Sequence, residues 1–238
     1  MSNLFTVAHI AQLHEIQSAR LKRNQPGIGP EVEELIRRLT DGGVSGNSDD
    51  IRRLQARRLW LDVSTHFGST FESYLASIPK IPSRLASDDA EFPLLVLVEP
   101  RIGLKKLCEQ VGIEFDGDDE MFVAYDDRHA EFTEPTWIRI QDGRKNRNRS
   151  VRDCRKSLDK NELGLTAFQG ICSYLQHRNI LTEAMKDGAH NMDFSGSVPR
   201  RHHDCVGSLK LTGGQPILGW HTSDPTNPRY GSASRREC

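Results

Sequence analysis

The segment PLLVLVEP, Pro93–Pro100, decides how the chain divides, because its pattern differs from that of the residues before it. A short, unbroken run of large apolar residues stands between two prolines, without the alternation typical of a strand that has one face in water. The pattern therefore predicts a buried strand over Leu94–Val98, at the centre of a sheet.

Before this strand, apolar residues recur at helical spacing. Val7–Arg23 and a segment that begins at Pro30 each follow this pattern until Pro or Gly residues end it. A longer helix is predicted from Ser48 toward Ile78, and Gly68 is a point at which it can break. Its polar face carries the arginines Arg52, Arg53, Arg57 and Arg58.

After the strand, helical and strand patterns alternate. Prolines, acidic turns and glycines separate the segments. The Gly213-Gly214 pair suits a hairpin turn, since glycine accepts positive φ. The end of the chain from Thr222 is polar and rich in Pro, Ser and Gly, so it is expected to be irregular. The predicted helices are Ile102–Val111 and Leu165–His177, and the predicted strands are Phe122–Tyr125, Thr136–Gln141, Ser208–Thr212 and Pro216–Trp220.

These patterns predict an α+β fold, with a helical region over residues 1–85 and a mixed α+β domain with a small sheet over residues 86–238. The boundary is predicted from the three prolines in PKIPSRLASDDAEFP, Pro79–Pro93. The alternative arrangement is that both parts share one core.

The amino-acid composition limits the classes of protein to which the chain can belong. The 32 Lys and Arg residues are balanced by 33 Asp and Glu residues, so the chain lacks the overall positive field of a dedicated non-specific nucleic-acid binder. Any such role has to be local. The longest apolar run, Phe92–Val98, is far shorter than the ~20 residues that span a bilayer. No membrane partner is expected.

Cysteine usage and the amino terminus bear on location. The five cysteines are scattered and never spaced as C-x-x-C, which argues against a disulfide framework and a zinc ribbon. The first residues have neither the basic start nor the apolar segment of a secretory signal. Both features predict reduced thiols and a cytoplasmic location.

The basic segment, Gln141–Arg155 (QDGRKNRNRSVRDCR), is strongly positive in a chain of net charge -1. Ser150 and Asp153 match the S-x-x-D capping pattern, so a short helix is predicted to begin at Val151. Cations then crowd the positive end of a helix, where N–H groups, the helix dipole and guanidinium groups together would stabilise a bound anion. The predicted anion-binding residues are Arg144, Lys145, Arg147, Arg149 and Arg152.

The basic segment also has a simpler interpretation. It can be a solvated loop whose arginines pair with the acidic segment Glu114–Glu120 (EFDGDDE). If the ligand is a nucleic acid, the pattern predicts phosphate contact and not base reading, because no aromatic residue lies between Gln141 and Lys156.

Two further groups contain potential metal ligands. Arg200–Cys205 (RRHHDC) offers His, Asp and Cys side chains, but neighbours on an extended chain point to opposite sides and no zinc-finger spacing completes the set. Asp126–Glu134 offers groups for acid–base or metal chemistry. The preceding acidic stretch departs from a calcium loop at Met121 and Asp127. The sequence therefore predicts neither a metal site nor a cofactor.

Patterns for a nucleophile are equally weak. Cys154 has two interpretations: a thiol whose pKa is lowered by the neighbouring Arg152 and Arg155, or an inert packing residue, which is the commoner role of cysteine. No histidine lies at a recognisable catalytic spacing from it. The sequence contains no G-x-S-x-G, no P-loop and no dinucleotide-binding glycine pattern. Nucleotide-hydrolysing motors and dinucleotide oxidoreductases are therefore disfavoured.

Three blocks in the later part of the chain resemble a family of uncharacterised bacterial proteins. The first runs from Trp137 through QDGRK, S-x-x-x-C-R and GLTA; the second is MDFSGSV, Met192–Val198; the third is YGSASRREC, Tyr230–Cys238. The resemblance implies a bacterial protein. The family has no assigned activity, so the resemblance provides no catalytic residues.

The leading hypothesis is a non-enzymatic bacterial cytoplasmic module that binds an anionic ligand, with nucleic acid favoured, through the basic segment. An alternative from another class is a metal-dependent hydrolase that uses the Asp126–Glu134 or His202–Cys205 groups. A third is a protein-interaction module that acts through the helical region.

Overall fold

A computed structural model describes residues 48–68, 70–177 and 190–236 of the chain. The chain forms two compact units, Met1–Pro82 and Ser83–Cys238. The helices predicted at Val7–Arg23 and from Pro30 lie outside the described residues. The predicted division after residue 85 stays a prediction.

In the first unit, the predicted long helix is present and breaks where the glycine allows it. Helix α1 (Ser48–Phe67) ends just before Gly68, whose φ of 57° is in the left-handed region that favours glycine. Helix α2 (Phe71–Ala76) follows, and the side chain of Thr70 caps it by accepting a hydrogen bond from the Ser73 backbone N–H.

The arginines of α1 contact α2 and the turn that follows it. The Arg52 guanidinium donates to the carbonyl of Leu75 in α2 (2.7 Å) and to that of Ile78 in the turn after it (2.8 Å). Arg53 pairs with Glu72 of α2, and the Arg57 guanidinium lies 4.5 Å from the centre of the Phe71 ring. These contacts hold the two helices together.

The second unit contains the remaining described helices and all the described strands. The helices are α3 (Ser83–Ala86), α4 (Leu104–Val111), α5 (Val151–Ser157) and α6 (Ala167–Gln176). The strands are β1 (Leu94–Val98), β2 (Phe122–Ala124), β3 (Thr136–Gln141), β4 (Glu162–Gly164), β5 (Asn191–Phe194), β6 (Ser197–Pro199), β7 (Cys205–Thr212), β8 (Gln215–Thr222), β9 (Tyr230–Ser232) and β10 (Ser234–Arg236).

The first sheet is antiparallel and has the order β1-β3-β10-β4. Strand β1 is buried as predicted, but it lies at the edge of this sheet, so its predicted central position is wrong. Side chains of α6 and of the residue after it provide hydrogen-bond partners for backbone groups on the outer edge of β1. The Gln176 amide of α6 accepts from the Leu97 N–H (2.9 Å) and donates to the Leu97 carbonyl (2.7 Å), while His177 bonds the Leu95 carbonyl (2.9 Å).

Helix α6 begins at a capping box and requires a glycine in its middle. Thr166 and Gln169 form the reciprocal cap. A Cβ atom on Gly170 would lie 1.9 Å from the Phe194 ring. The glycine, which lowers intrinsic helix propensity, therefore makes room for a fully buried aromatic side chain of β5.

The second four-stranded sheet has the order β8-β7-β5-β9. Its β7–β8 hairpin turns at Gly213 (φ 59°) and Gly214 (φ 87°), as predicted from the glycine pair. Strands β2 and β6 form a separate antiparallel pair.

The prediction that the whole segment after Thr222 is irregular is wrong. Strands β9 and β10 lie within it and belong to different sheets, joined through Ala233. Ser232, Ala233 and Ser234 are all buried, with exposed fractions of 2%, 0% and 0%. Pairing with strands distant in sequence therefore overrides the turn-like composition of this segment.

The predicted α+β class is confirmed, with several sheets where one small sheet was predicted. No described helix is both long and apolar enough to cross a membrane. The cysteines among the described residues, Cys108, Cys154, Cys172 and Cys205, are free thiols.

Candidate functional site

The basic segment has the predicted loop and helix. A 3-10 turn, Arg144–Asn146, precedes α5, and Ser150 caps that helix by accepting a hydrogen bond from the Asp153 N–H (3.0 Å). The predicted start at Val151 and the predicted cap are both confirmed. The turn follows Gly143, whose φ is 91°.

Buried hydrogen bonds attach the basic segment to strand β9. The Gln141 amide and the Asn146 amide both donate to the Ser232 carbonyl, at 3.0 and 2.7 Å. Gly143 packs directly on Gly231, since a Cβ atom on Gly143 would lie 2.2 Å from the Gly231 carbonyl oxygen. These contacts fix the backbone of the turn that carries the cations.

Three exposed cations of the segment pair with carboxylates. Arg144 lies 3.1 Å from Asp142, Lys145 lies 2.9 Å from Glu162, and Arg152 lies 2.8 Å from Asp224. Their side chains remain 47%, 45% and 58% exposed, respectively. None of these three carboxylates belongs to Glu114–Glu120, the acidic segment with which a solvated loop was expected to pair.

The remaining two predicted anion-binding residues donate to neutral groups. Arg149 donates to the Asn146 side-chain oxygen (3.3 Å) and the Ser157 hydroxyl (2.8 Å), and its side chain is exposed. Arg147 is half-buried and donates from Nε to Nδ1 of His190 (3.2 Å). The structure thus brings the five residues onto one short stretch of surface, with Arg147 turned toward the interior.

His190 is buried and neutral. Its Nε2 bonds the Asp142 carbonyl oxygen at 2.8 Å, so this nitrogen carries the proton and Nδ1 is free to accept from Arg147. Burial lowers the pKa of His190, although the Asp142 carbonyl opposes the shift. The imidazole therefore links the basic turn to the start of β5 without adding a charge.

A buried acid–base pair lies deeper in the same region. Asp193 of β5 has a side chain only 2% exposed, and its Oδ1 lies 2.8 Å from Nε2 of His221 on β8. The other ring nitrogen, Nδ1, donates to the Thr222 carbonyl at 2.8 Å. Because a carbonyl can only accept, the pair holds a second proton between Nε2 and the carboxyl group.

The pKa values of this pair follow from its surroundings. Burial raises the pKa of Asp193, with the hydrogen bond and charge of His221 opposing the shift. For His221, burial disfavours the imidazolium, but the hydrogen bond and negative charge of Asp193 outweigh it and raise its pKa. The His221 side chain is 28% exposed, so the pair has one side in contact with solvent.

The structure brings together parts of the three sequence blocks that resemble the bacterial family. The basic segment comes from the first block, Asp193 from the second, and the buried strands β9 and β10 from the third. The Arg155 guanidinium joins the first two blocks by donating to the carbonyls of Ser195 (2.8 Å) and Ser197 (3.3 Å). Sequence patterns do not indicate this arrangement, because the blocks are far apart along the chain.

The structure supports the interpretation of Cys154 as a packing residue and not that of a thiol with a lowered pKa. Cys154 is fully buried in α5, and burial raises its pKa. The Ser232 hydroxyl and the charge of Arg149 offset only part of that effect. The two neighbouring arginines make other contacts: Arg152 pairs with Asp224, and Arg155 donates to the carbonyls of Ser195 and Ser197.

The candidate metal ligands are held in other contacts. Among residues 48–68, 70–177 and 190–236, no group of three or more His, Cys, Asp or Glu side chains is placed to hold a metal ion. The His202 ring stacks on Trp220, and the Cys205 thiol lies 3.7 Å from Asp204 Oδ1. In the Asp126–Glu134 stretch, Asp126 Oδ1 and His129 Nδ1 lie 2.6 Å apart.

His129 is buried, and only one of its two ring nitrogens has a hydrogen-bond partner among the described residues. Nδ1 bonds Asp126, while Nε2 has no hydrogen-bond partner among the described residues. Burial lowers the pKa of His129, and Asp126 opposes the shift. The Ser195 hydroxyl is also buried, and within the described part of the chain it has no partner. Both groups adjoin the close contact between Gly164 and Gly196, the Ser195 hydroxyl next to Gly164 and the His129 ring next to Gly196.

Comparison of the chain with family models, with curated proteins and with solved structures found no match.

Proposed function

We propose that this protein binds a phosphate-bearing polymer, with nucleic acid the favoured ligand, through the exposed cations of the basic segment. The observation that carries the proposal is the combination of a rigid backbone and exposed charge. Gln141, Gly143 and Asn146 fix the turn through buried contacts, while Arg144, Lys145, Arg149 and Arg152 keep their side chains at the surface.

Rigidity favours binding because less conformational freedom is lost when the ligand arrives. A flexible basic loop would have to be ordered in the complex. Here the 3-10 turn and α5 already hold their positions through the Ser232 carbonyl and the Ser150 cap. The backbone positions that carry the cations are therefore fixed before the ligand arrives.

The intramolecular ion pairs do not prevent an anionic ligand from binding the same cations. The Arg152–Asp224 pair is exposed at both partners, so it contributes only about 0–1 kcal/mol and phosphate oxygens can compete with Asp224 for the cation. The side chains of Asp142 and Glu162 are only 13% and 11% exposed, but those of Arg144 and Lys145 are 47% and 45% exposed, so a phosphate can contact these cations from the solvent side. Arg149 donates to neutral groups, which leaves its charge available to an anion. Guanidinium groups bind phosphate through paired N–H donors.

The first test is a titration of the full chain with inorganic polyphosphate and with labelled oligonucleotides at low ionic strength. We expect both to bind, and both complexes to weaken as salt is added, because the contacts are to phosphates. Fluorescence anisotropy and calorimetry measure the two ligands. Absence of salt-sensitive binding to either ligand would show that the proposed function is wrong.

A matched pair of variants assigns the binding to the basic segment. The basic-segment triple variant, Arg144→Gln, Lys145→Gln and Arg152→Gln, removes three exposed charges and keeps polar side chains toward their carboxylate partners. The control triple variant, Arg84→Gln, Lys105→Gln and Lys106→Gln, removes three charges from exposed positions on α3 and α4. Only the first variant is expected to lose affinity, by more than about tenfold at low salt.

A further inference from the structure

An exposed aromatic stack lies near the basic segment. Trp220 on β8 is 43% exposed. The His202 ring lies against it, with ring centres 4.7 Å apart and planes inclined by 19°. This is a stacked geometry, in which the imidazole supports the indole while a large part of the indole stays in contact with solvent.

Both rings of the stack are on ordered backbone. Trp220 pairs with Gly207 across the β7–β8 hairpin. His202 lies in a turn that is closed by two backbone hydrogen bonds, from the His202 N–H to the Pro199 carbonyl (2.9 Å) and from the Cys205 N–H to the His202 carbonyl (3.0 Å). The stack is therefore a preformed surface that needs little ordering on binding.

Backbone contacts connect this stack to the basic segment. The Arg152 N–H donates to the Ser223 carbonyl (3.3 Å), and the Arg152 guanidinium pairs with Asp224 (2.8 Å). The Ser223 N–H in turn donates to the Asp204 carbonyl (2.9 Å), two residues beyond His202. Ser223 follows Trp220 by three residues, so the backbone of Trp220 lies on the order of 10 Å along the chain from the residue that contacts the first turn of α5.

Further positive charge lies next to His202 in the chain. Arg200 and Arg201 directly precede His202, and both residues are exposed. Arg200 pairs with Glu120, which is also exposed, so this ion pair is open to exchange with a ligand anion. Exposed cations thus adjoin both chain segments that form the stack, Arg152 through Ser223 and Asp224, and Arg200 and Arg201 through His202.

We propose that Trp220, supported by His202, stacks on an unpaired base, so that the ligand of the basic segment is a single-stranded nucleic acid. This inference rests on the proposed function and names its ligand class. Single-strand binding proteins combine a positively charged track for the backbone with aromatic side chains that stack on bases, and such stacking tolerates any sequence. Bases inside a duplex are already stacked and cannot reach the indole.

The test compares three ligands and two variants of the full chain. The ligands are an oligothymidine single strand, a duplex of the same length and inorganic polyphosphate, which has charge without bases. For Trp220→Ala we expect the affinity for the single strand to fall by about fivefold or more, as the loss of one base–aromatic stack predicts. Polyphosphate affinity is expected to stay unchanged, and Trp220→Phe is expected to retain most of the single-strand affinity.

The outcomes separate the stack from the basic segment. Unchanged single-strand affinity in a folded Trp220→Ala protein would show that the stacking inference is wrong while the proposed function stands. Tighter binding to the duplex than to the single strand would also overturn the inference. If wild-type protein binds none of the three ligands, both proposals are wrong. Far-ultraviolet circular dichroism of both Trp220 variants verifies that the hairpin is still folded.

Discussion

Gly170→Ala is expected to lower the free energy of unfolding by about 2–3 kcal/mol, because the added methyl group would overlap a buried ring. A Cβ atom at this position would lie 1.9 Å from Phe194, whose side chain is fully buried. Helix propensity alone predicts the opposite sign, a gain of about 1 kcal/mol for alanine over glycine within a helix. The steric term dominates because protein interiors are close-packed.

Denaturant unfolding of the wild type, Gly170→Ala, Phe194→Leu and the double variant measures this effect and its cause. The double variant is expected to lose less stability than the two single variants lose in sum, since the smaller side chain leaves space for the methyl group. Equal or greater stability of Gly170→Ala relative to the wild type would contradict the packing of α6 on β5.

Asp193→Asn is expected to lower the free energy of unfolding by about 2 kcal/mol at pH ~6, because it removes a buried, charge-assisted hydrogen bond. The pair joins β5 to β8 at 2.8 Å. In the folded wild type the pKa of His221 lies above its usual 6.5, with Asp193 as the group that raises it. The native state therefore holds this proton more tightly than the unfolded chain does.

The sign of the pH dependence follows from that shift. The stability contributed by His221 is fully present below pH 6.5, its ordinary pKa, and is lost as the pH rises through the raised value. The stability difference between the wild type and Asp193→Asn should therefore shrink toward higher pH. In proton NMR, the His221 ring of the wild type should titrate above 6.5, and that of the variant at a lower pH. A constant stability difference, together with an unshifted titration, would contradict the assigned pair.

Local features of the fold could be predicted from the sequence because neighbouring residues determine them. The Ser150 cap, the strand Thr136–Gln141 and the Gly213-Gly214 turn each depend on residues within a few positions of one another. The edge position of Leu94–Val98 could not be predicted. Burial gives the strand an apolar sequence whether a second strand or the Gln176 side chain covers its edge.

Interactions between distant segments account for other features that the sequence alone does not predict. Tyr230–Ser232 is turn-like in composition and becomes a strand because Asn191–Phe194 pairs with it in parallel. Gly170 is unfavourable for a helix by propensity, and the partner that requires it, Phe194, is far along the chain. Propensity and periodicity do not indicate which distant side chain fills a space.

The candidate site also combines features that the sequence shows with features that it does not. The cations of the basic segment are visible in the sequence as a local excess of charge, whereas their partners Glu162 and Asp224 are not. The pair formed by Asp193 and His221 has no sequence signature, since its members are on strands β5 and β8. Likewise, the sequence predicts Trp220 only as part of a strand, and its stacking on His202 depends on the hairpin geometry.

Phosphate binding by the basic segment is tested most directly by the slope of log affinity against log salt for oligothymidine. Removing one cation–phosphate interaction is expected to make the slope shallower by about 0.7 for a single strand, so the basic-segment triple variant should be shallower by about 2. The control triple variant should keep the wild-type slope. A basic-segment variant with wild-type slope and affinity would contradict phosphate binding by this segment and would identify it as a solvated surface that does not bind nucleic acid.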